Sequence, residues 1–317
     1  ATGSETILLT RNKPGIKGNA RIKNMSKHDG IQNIPGPPDY RLIALDLDGT
    51  LLNSEKQLTE ENARALADAA AQGIWIVPTT GRFFDGMPQV IRELPYLRYA
   101  ITINGAQVMD IATGQTIYRA ELPLKQAIEI MKYLDTLPVI YDCYMDNWGW
   151  ISRHMQEAAP EFAADRHSLK MIQELRTPVD DLKQYLLRRG KNVQKLQFFI
   201  KNPDERWAIA ESIRTHFPGT AVAASLANNL EVNTEAANKG AAVSALAAHL
   251  GLDMAQTVAF GDGGNDLSMI RACGLGVAMR NSCRDVLEAA DCITASCDEN
   301  GVALVIRELL DQKKGQT

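Results

Sequence analysis

Two aspartates separated by one residue lie at the end of an apolar run near the start of the chain. Residues 41–47 (RLIALDL) have the composition of a buried strand; they contain Asp46, and Asp48 follows directly. Strand alternation places these two carboxylates on one side and Leu47 on the other. Such a pair can divide its work between a nucleophile and a general acid and base.

The same pair predicts a metal site. Two buried carboxylates cost free energy unless a cation or hydrogen bonds compensate them, and Mg²⁺ prefers oxygen ligands. Gly49 allows the chain to turn sharply after Asp48. The alternative is a solvated acidic pair at a loop entrance, which the preceding apolar run disfavours.

A second group of residues, Thr79-Thr80-Gly81-Arg82, follows the predicted strand Ile74 to Val77. A hydroxyl and free backbone N–H groups at a helix start favour anions. A plain helix N-cap explains the same residues, so this motif is weak by itself.

Two further motifs come late in the chain. Lys239 opens a predicted Ala-rich helix, and residues 261–266 (GDGGND) follow the predicted strand Thr257 to Phe260. The latter motif brings Asp262, Asn265 and Asp266 to the carboxyl edge of a sheet, where open α/β sheets place their sites. A lysine alone is most often a solvated surface residue, so the prediction depends on the combination of motifs.

The elements that position these residues alternate between short apolar strands and amphipathic helices from Tyr40 onward, which predicts an α/β fold. Residues from about 123 to 227 differ, with longer strands such as Val139 to Met145. The alternation returns at Asn229 with a predicted strand Leu230 to Asn233. We therefore predict a Rossmann-like, doubly wound and largely parallel core over residues 39–120 and 229–317. An α+β domain is inserted over 121–228, and a flexible leader covers 1–38.

The combined motifs resemble the Cof-type branch, subfamily IIB, of the haloacid dehalogenase superfamily. They are D-x-D-G-T, T-G-R, N-G at Asn104, K-G and G-D-x-x-N-D, followed by residues 276–281 (GVAMRN) and 300–302 (NGV). The resemblance spans roughly residues 41–310. It implies that the inserted domain is a C2-type cap that sets substrate choice. Thr79 stands where alanine is common in this family, and the leader is outside the pattern.

This resemblance implies a Mg²⁺-dependent phosphatase that hydrolyses small phosphorylated metabolites, such as sugar phosphates, through an aspartyl-phosphate. Asp46 is then the nucleophile and Asp48 the acid and base, with Lys239 as the third catalytic residue. The predicted phosphate and substrate ligands are Thr80, Gly81, Arg82, Asn104, Lys239 and Asn265. The predicted Mg²⁺ ligands are Asp46, the backbone carbonyl of Asp48, and Asp262, with Asp266 in support.

Two other functions fit part of the pattern. Sugar phosphomutases can share D-x-D-G-T and a related cap, and they transfer the phosphoryl group to a second sugar. A non-catalytic metabolite-binding or regulatory module is the second alternative, although the complete acidic set argues against it.

The amino-acid composition excludes some classes of binding partner and indicates a cellular compartment. The 317 residues are 45% hydrophobic and 23% charged, with a net charge of −4 and a pI near 5.8. This balance is typical of a globular protein and gives no basic surface for nucleic acid. No apolar run approaches the roughly 20 residues that a membrane span needs.

Five cysteines without a C-x-x-C pair indicate a reducing, cytoplasmic location, with organelle targeting through the leader as the alternative. We expect a monomer or a small homo-oligomer.

Overall fold

The structure, a computed structural model, describes residues 8–9, 39–224 and 226–314. The chain divides into two compact units. The first contains the chain up to Thr80, Pro88–Tyr118 and the chain from Asn238 onward, and the second contains Gly81–Met87 and Arg119–Ala237. Apart from Leu8–Leu9, the predicted flexible leader lies outside the described residues.

The first unit is built on a six-stranded sheet of order β1-β15-β14-β13-β2-β3. The five strands from β15 to β3 are parallel, and β1 pairs antiparallel with β15. A separate three-stranded sheet has the order β4-β5-β6. The strands are β1 (Leu8–Leu9), β2 (Leu42–Leu45), β3 (Trp75–Pro78), β4 (Tyr99–Thr102), β5 (Gln107–Asp110), β6 (Thr116–Arg119), β13 (Thr257–Gly261), β14 (Leu275–Ala278) and β15 (Cys292–Ile293).

Six α-helices belong to the described part of this unit. They are α1 (Glu60–Ala71), α2 (Gln89–Arg92), α8 (Lys239–His249), α9 (Leu267–Ala272), α10 (Arg284–Ala289) and α11 (Gly301–Lys314). Thr59 caps the N-terminus of α1, because its hydroxyl accepts from the N–H of Asn62 at 3.3 Å. Leu42 and Ala44 of β2 pack in one buried cluster with Val243 and Leu246 of α8. This packing holds α8 against the strand that leads to Asp46.

The second unit contains a six-stranded sheet of order β11-β12-β10-β7-β8-β9. Its strands are β7 (Val139–Met145), β8 (Trp148–Ser152), β9 (Thr177–Val179), β10 (Lys195–Ile200), β11 (Thr220–Ala223) and β12 (Asn229–Thr234). Its helices are α3 (Leu124–Leu134), α4 (Arg153–Ala158), α5 (Arg166–Glu174), α6 (Leu182–Arg189) and α7 (Arg206–His216). All these strands pair antiparallel except β8 with β9.

Strand alternation gives this second sheet two different faces. On one face, residues such as Tyr141 and Phe198 form an apolar core with α3, α6 and α7. The intervening positions are partly charged. Three buried side chains at such positions and the buried Arg176, which precedes β9, form what we call the paired cluster: Asp142, Arg176, Lys195 and Glu231.

The predicted α/β class with a largely parallel sheet is confirmed, but one strand was assigned to the wrong sheet. The predicted strand Leu230 to Asn233 exists as β12, yet it pairs antiparallel with β10 and β11 of the second unit. The parallel alternation therefore resumes at α8 rather than at Asn229. Periodicity identifies a strand but does not identify its partners, which explains the error.

Among the described helices, none combines the length and the apolar composition that crossing a bilayer requires.

Candidate active site

The first predicted motif forms a tight turn directly after β2. The N–H of Asp46 donates to the carbonyl of Phe260 at 3.0 Å, which continues the pairing of β2 with β13. Gly49 has φ +88°, and a Cβ atom there would lie 2.5 Å from Oδ2 of Asp262. Glycine at this position therefore lets the D-x-D-G-T turn approach the Asp262 carboxylate.

Lys239 lies at the centre of the site. As the first residue of α8 it is fully buried, and its Nζ donates to Oδ1 of Asp46 at 2.5 Å and to Oδ1 of Asp266 at 2.6 Å. The preceding Asn238 caps the helix by accepting from the N–H of Ala241 at 2.8 Å. The cap fixes where α8 begins and therefore where the ammonium group lies.

The loop after β13 supplies the other two carboxylates. Oδ1 of Asp262 accepts from the Thr50 hydroxyl at 2.7 Å. Oδ2 of Asp266 accepts from the N–H groups of Asp262 and Gly263 at 2.8 and 2.9 Å. Asp266 thus uses one oxygen for Lys239 and the other for its own loop, which suits a supporting role. We call Asp46, Lys239, Asp262 and Asp266 the site cluster.

The charges of the site cluster do not balance. Burial raises the pKa of Asp46 well above its ordinary value and the carboxylates of Asp266 and Asp262 add to this, while Lys239 opposes it. Burial also raises the pKa of Asp262 to about 6, against the hydrogen bond from Thr50. Burial lowers the pKa of Lys239, but the charges of Asp266 and Asp46 outweigh that effect and raise it. The three raised pKa values indicate that the site favours additional positive charge.

A divalent cation fits this arrangement. Carboxylate oxygens of Asp46, Asp262 and Asp266 lie within 4.8 Å of one another. Three carboxylates and one ammonium leave two negative charges in excess when all four groups are ionised. Hard oxygen donors with this charge suit Mg²⁺.

Besides Lys239, three of the predicted phosphate and substrate ligands lie in the first unit. Thr80 follows β3 and is 2% exposed, and its carbonyl accepts from the N–H of Asn104 at 3.0 Å. Oδ1 of Asn104 accepts from Nδ2 of Asn265 at 3.2 Å. Asn104 has a left-handed backbone, and Gly105 follows because a Cβ atom there would lie 2.3 Å from the carbonyl of Asn238. Backbone contacts therefore connect the Thr80 and Asn104 motifs to the start of α8.

The other two predicted ligands in that motif, Gly81 and Arg82, belong to the second compact unit. There the carbonyl of Gly81 accepts from Nζ of Lys195 at 3.0 Å, and Nη1 of Arg82 donates to the carbonyl of Gly86 at 3.1 Å. The T-G-R motif is thus divided between the two units after Thr80.

Three residues at the site were not predicted. The Thr50 hydroxyl donates to Asp262, and Thr50 is the last residue of the D-x-D-G-T motif, which was the available signal. Asn281 donates from Nδ2 to the carbonyl of Gly49 at 2.8 Å, and its place in the GVAMRN stretch was the available signal. Lys56 lies with its Nζ 3.1 Å from Oδ1 of Asp48, and no sequence motif marked it.

Comparison with known proteins identifies the family. A model of the haloacid dehalogenase-like hydrolase family matches residues 43–306. The chain belongs to this family.

Two curated relatives of the chain come from Bacillus subtilis. The chain is 31% identical to Phosphatase YwpJ, covering 85% of this chain and 100% of the relative. It is 30% identical to 5-amino-6-(5-phospho-D-ribitylamino)uracil phosphatase YcsE, and the match covers 85% of this chain and 95% of YcsE. The solved structure of a haloacid dehalogenase-like hydrolase from B. subtilis matches with a TM-score of 0.72 and 29% sequence identity. This match covers 85% of this chain and 99% of the solved one. The predicted enzyme class, a phosphatase of this superfamily, agrees with these names.

Proposed function

We propose that the protein is a Mg²⁺-dependent phosphatase that hydrolyses phosphate monoesters of small metabolites through an aspartyl-phosphate. The observation that carries the proposal is the site cluster, in which the buried Asp46 carboxylate lies 2.5 Å from a lysine and within 4.8 Å of two further carboxylates. A nucleophile in this environment needs added positive charge before an anionic phosphate can approach it.

In the first half-reaction, a carboxylate oxygen of Asp46 attacks phosphorus while the bond to the leaving oxygen breaks. Protonated Asp48 gives its proton to that oxygen, and an alcohol departs. Lys239 and the Thr80 hydroxyl hold oxygens of the phosphoryl group during transfer. Lysine serves here as a compact point charge.

In the second half-reaction, a water molecule attacks the phosphorus of the aspartyl-phosphate. The Asp48 carboxylate takes a proton from this water, and the bond between phosphorus and Asp46 breaks. Inorganic phosphate leaves, and Asp48 is again protonated. The same residue thus acts first as an acid and then as a base.

Asp46, Asp262 and the backbone carbonyl of Asp48 would hold Mg²⁺, with Asp266 in support. When bound, the ion supplies Lewis-acid charge that reduces repulsion between carboxylate and phosphate. The raised pKa of Asp262 supports this assignment, because a carboxylate destabilised by burial gains from a cation ligand.

The proposed substrate class is a small phosphorylated metabolite, such as a sugar phosphate or a related monoester. The name of the relative YcsE, a phosphatase of a phosphorylated ribityl compound, supports this class. We propose the second unit as the cap that selects among such esters.

The proposal is tested by measuring phosphate release from a panel of phosphate monoesters, with and without Mg²⁺, ranked by kcat/KM. Phosphate release that requires Mg²⁺ supports it. Transfer of the phosphoryl group to a second sugar instead of water would identify a phosphomutase. Ester binding without turnover on any member would identify a non-catalytic module.

We also propose a cytoplasmic location. The five cysteines are free, and four of them are buried, as expected for a protein that keeps its thiols reduced. Fractionation of the source cells with an antibody to the chain tests this location, and recovery in an organelle would contradict it.

A further inference from the structure

A tight turn after the D-x-D-G-T motif holds Lys56 in an uncommon backbone conformation. Its φ is +62°, in the left-handed region that residues with a side chain rarely adopt. The N–H of Lys56 donates to the carbonyl of Asn53 at 2.9 Å, and the N–H of Asn53 donates to the carbonyl of Gln57 at 3.0 Å. These bonds close the turn from both ends.

Side chains fix the same turn from two directions. Oδ1 of Asn53 accepts from the N–H groups of Glu55 and Gln57 at 3.1 and 2.8 Å. From outside the turn, Oδ1 of Asp298 accepts from the N–H of Ser54 at 2.8 Å. The left-handed residue is therefore held in place by several hydrogen bonds.

The turn directs the Lys56 side chain to Asp48. Its Nζ lies 3.1 Å from Oδ1 of Asp48, and the two side chains are 43% and 33% exposed. Ion pairs with this exposure contribute little to stability. The turn thus holds a residue in a rare conformation although its ion pair adds little to stability, which points to a role in function.

We propose that Lys56 is a positioning residue for Asp48 in the second half-reaction. After Asp48 has given up its proton it is a carboxylate, and the Lys56 ammonium holds this carboxylate where it can take a proton from the attacking water. The inference depends on the proposed function, in which Asp48 is the acid and base.

This role predicts an effect on one half-reaction. With p-nitrophenyl phosphate the leaving group departs without help from an acid, so we expect hydrolysis of the aspartyl-phosphate to limit kcat. Lys56→Met should therefore lower kcat about tenfold to a hundredfold, the cost of a misplaced catalytic group. The value of kcat/KM, which reports only the steps through phosphoryl transfer, should change little. A rapid burst of p-nitrophenolate should appear before the slow steady state.

The structure offers a matched control. Lys313 in α11 pairs with Asp39 at 2.9 Å, and the two side chains are 44% and 49% exposed. Lys313→Met removes an ion pair of similar length and exposure, so it should leave kcat and kcat/KM at wild-type values.

Two further variants separate charge from backbone effects. Lys56→Arg keeps the cation and should recover most of kcat. Lys56→Asn removes the cation but suits the left-handed backbone, so it should stay folded and show the same low kcat as Lys56→Met. In an Asp48→Asn background, Lys56→Met should cause no further loss.

The outcomes distinguish this inference from the proposed function. If Asp48→Asn accumulates the phosphoenzyme while the Lys56 variants match Lys313→Met, the positioning role is wrong and the proposed function stands. If Lys56→Met lowers kcat/KM while kcat is unchanged, Lys56 binds substrate and the role is also wrong. If no variant forms a phosphoenzyme and the wild type still turns over, the proposed function itself fails.

Discussion

The site cluster and the paired cluster both bury charged side chains, but their charges are balanced differently. The paired cluster has two acids and two bases, and each acid lies 3.0 Å from a base. The site cluster has three acids and one base. A buried charge is costly unless it is compensated. The charges of the paired cluster therefore balance within the fold, and the excess negative charge of the site cluster supports the proposal that this site takes up a cation.

An aromatic ring adds to the compensation in the paired cluster. Nζ of Lys195 and Cζ of Arg176 lie 4.3 and 4.6 Å from the centroid of the Tyr144 ring, at cation–π distance. The Tyr144 hydroxyl also accepts from Nη2 of Arg176 at 2.8 Å. Burial still raises the pKa of Asp142, against the charges of Arg176 and Lys195. The paired cluster thus carries some electrostatic cost although its charges balance, and we assign the catalytic role to the site cluster.

The largest expected difference between the clusters is in catalysis. Asp46→Asn nearly preserves shape but removes the anionic nucleophile, so kcat should fall by roughly 10⁴ or more, as for other nucleophile deletions. Asp142→Asn makes the same change in the paired cluster and should lower kcat less than about tenfold. Both rates are measured with p-nitrophenyl phosphate, and circular dichroism checks the fold. Comparable losses in the two variants would remove the distinction between the clusters.

The next effect is on stability and belongs to the paired cluster. Arg176→Met leaves Asp142 buried without its base and should lower the free energy of unfolding by about 3–5 kcal/mol. The double variant that combines Arg176→Met with Asp142→Leu should recover much of this lost stability. Urea denaturation of the single variant, the double variant and the wild type measures the free energies of unfolding. A single variant as stable as the wild type would show that the pair is not needed to compensate Asp142.

A smaller effect concerns the cation. Asp262→Ala removes a proposed ligand, so the Mg²⁺ concentration for half-maximal activity should rise about tenfold to a hundredfold, within the usual cost of perturbing a metal site. Excess Mg²⁺ should restore part of the rate. Asp68→Ala, at an exposed position of α1, is the control and should not shift the titration. An unshifted midpoint in Asp262→Ala would exclude Asp262 as a ligand.

The smallest expected effect is the pH dependence of stabilisation by Mg²⁺. Burial raises the pKa of Asp262 to about 6, so below that pH the carboxyl group holds a proton and cannot bind the ion. The rise in Tm on adding Mg²⁺ should therefore grow between about pH 5 and about pH 7.5. Thermal unfolding with and without Mg²⁺ at both pH values measures it. A Tm increment that falls over this range would have the wrong sign.

The sequence was sufficient to predict that the acids and the lysine lie together, because they follow strands or begin a helix. Asp46 follows β2, Asp262 follows β13 and Lys239 begins α8. The carboxyl ends of parallel strands lie at one edge of the sheet, so local signals were enough to bring these residues together.

Other features depend on contacts that local patterns do not encode. β12 pairs with β10 and β11, and the periodicity of a strand does not identify its partners. The division of the T-G-R motif after Thr80 reflects tertiary packing of Phe83 against Tyr144 and Trp148. Lys56 lies beside Asp48 because its backbone is left-handed, and a lysine at this position does not predict that conformation.

The central claim is that Asp46 forms a covalent aspartyl-phosphate. The most direct test uses Asp48→Asn with p-nitrophenyl phosphate, because this ester needs no acid for the first step and the variant lacks the base for the second. After an acid quench, peptide mass spectrometry should find one phosphoryl group on the peptide that contains Asp46, and Asp46→Asn in the same background should abolish it. A phosphoryl group on any other residue, or turnover at the wild-type rate without a phosphoenzyme, would contradict the account.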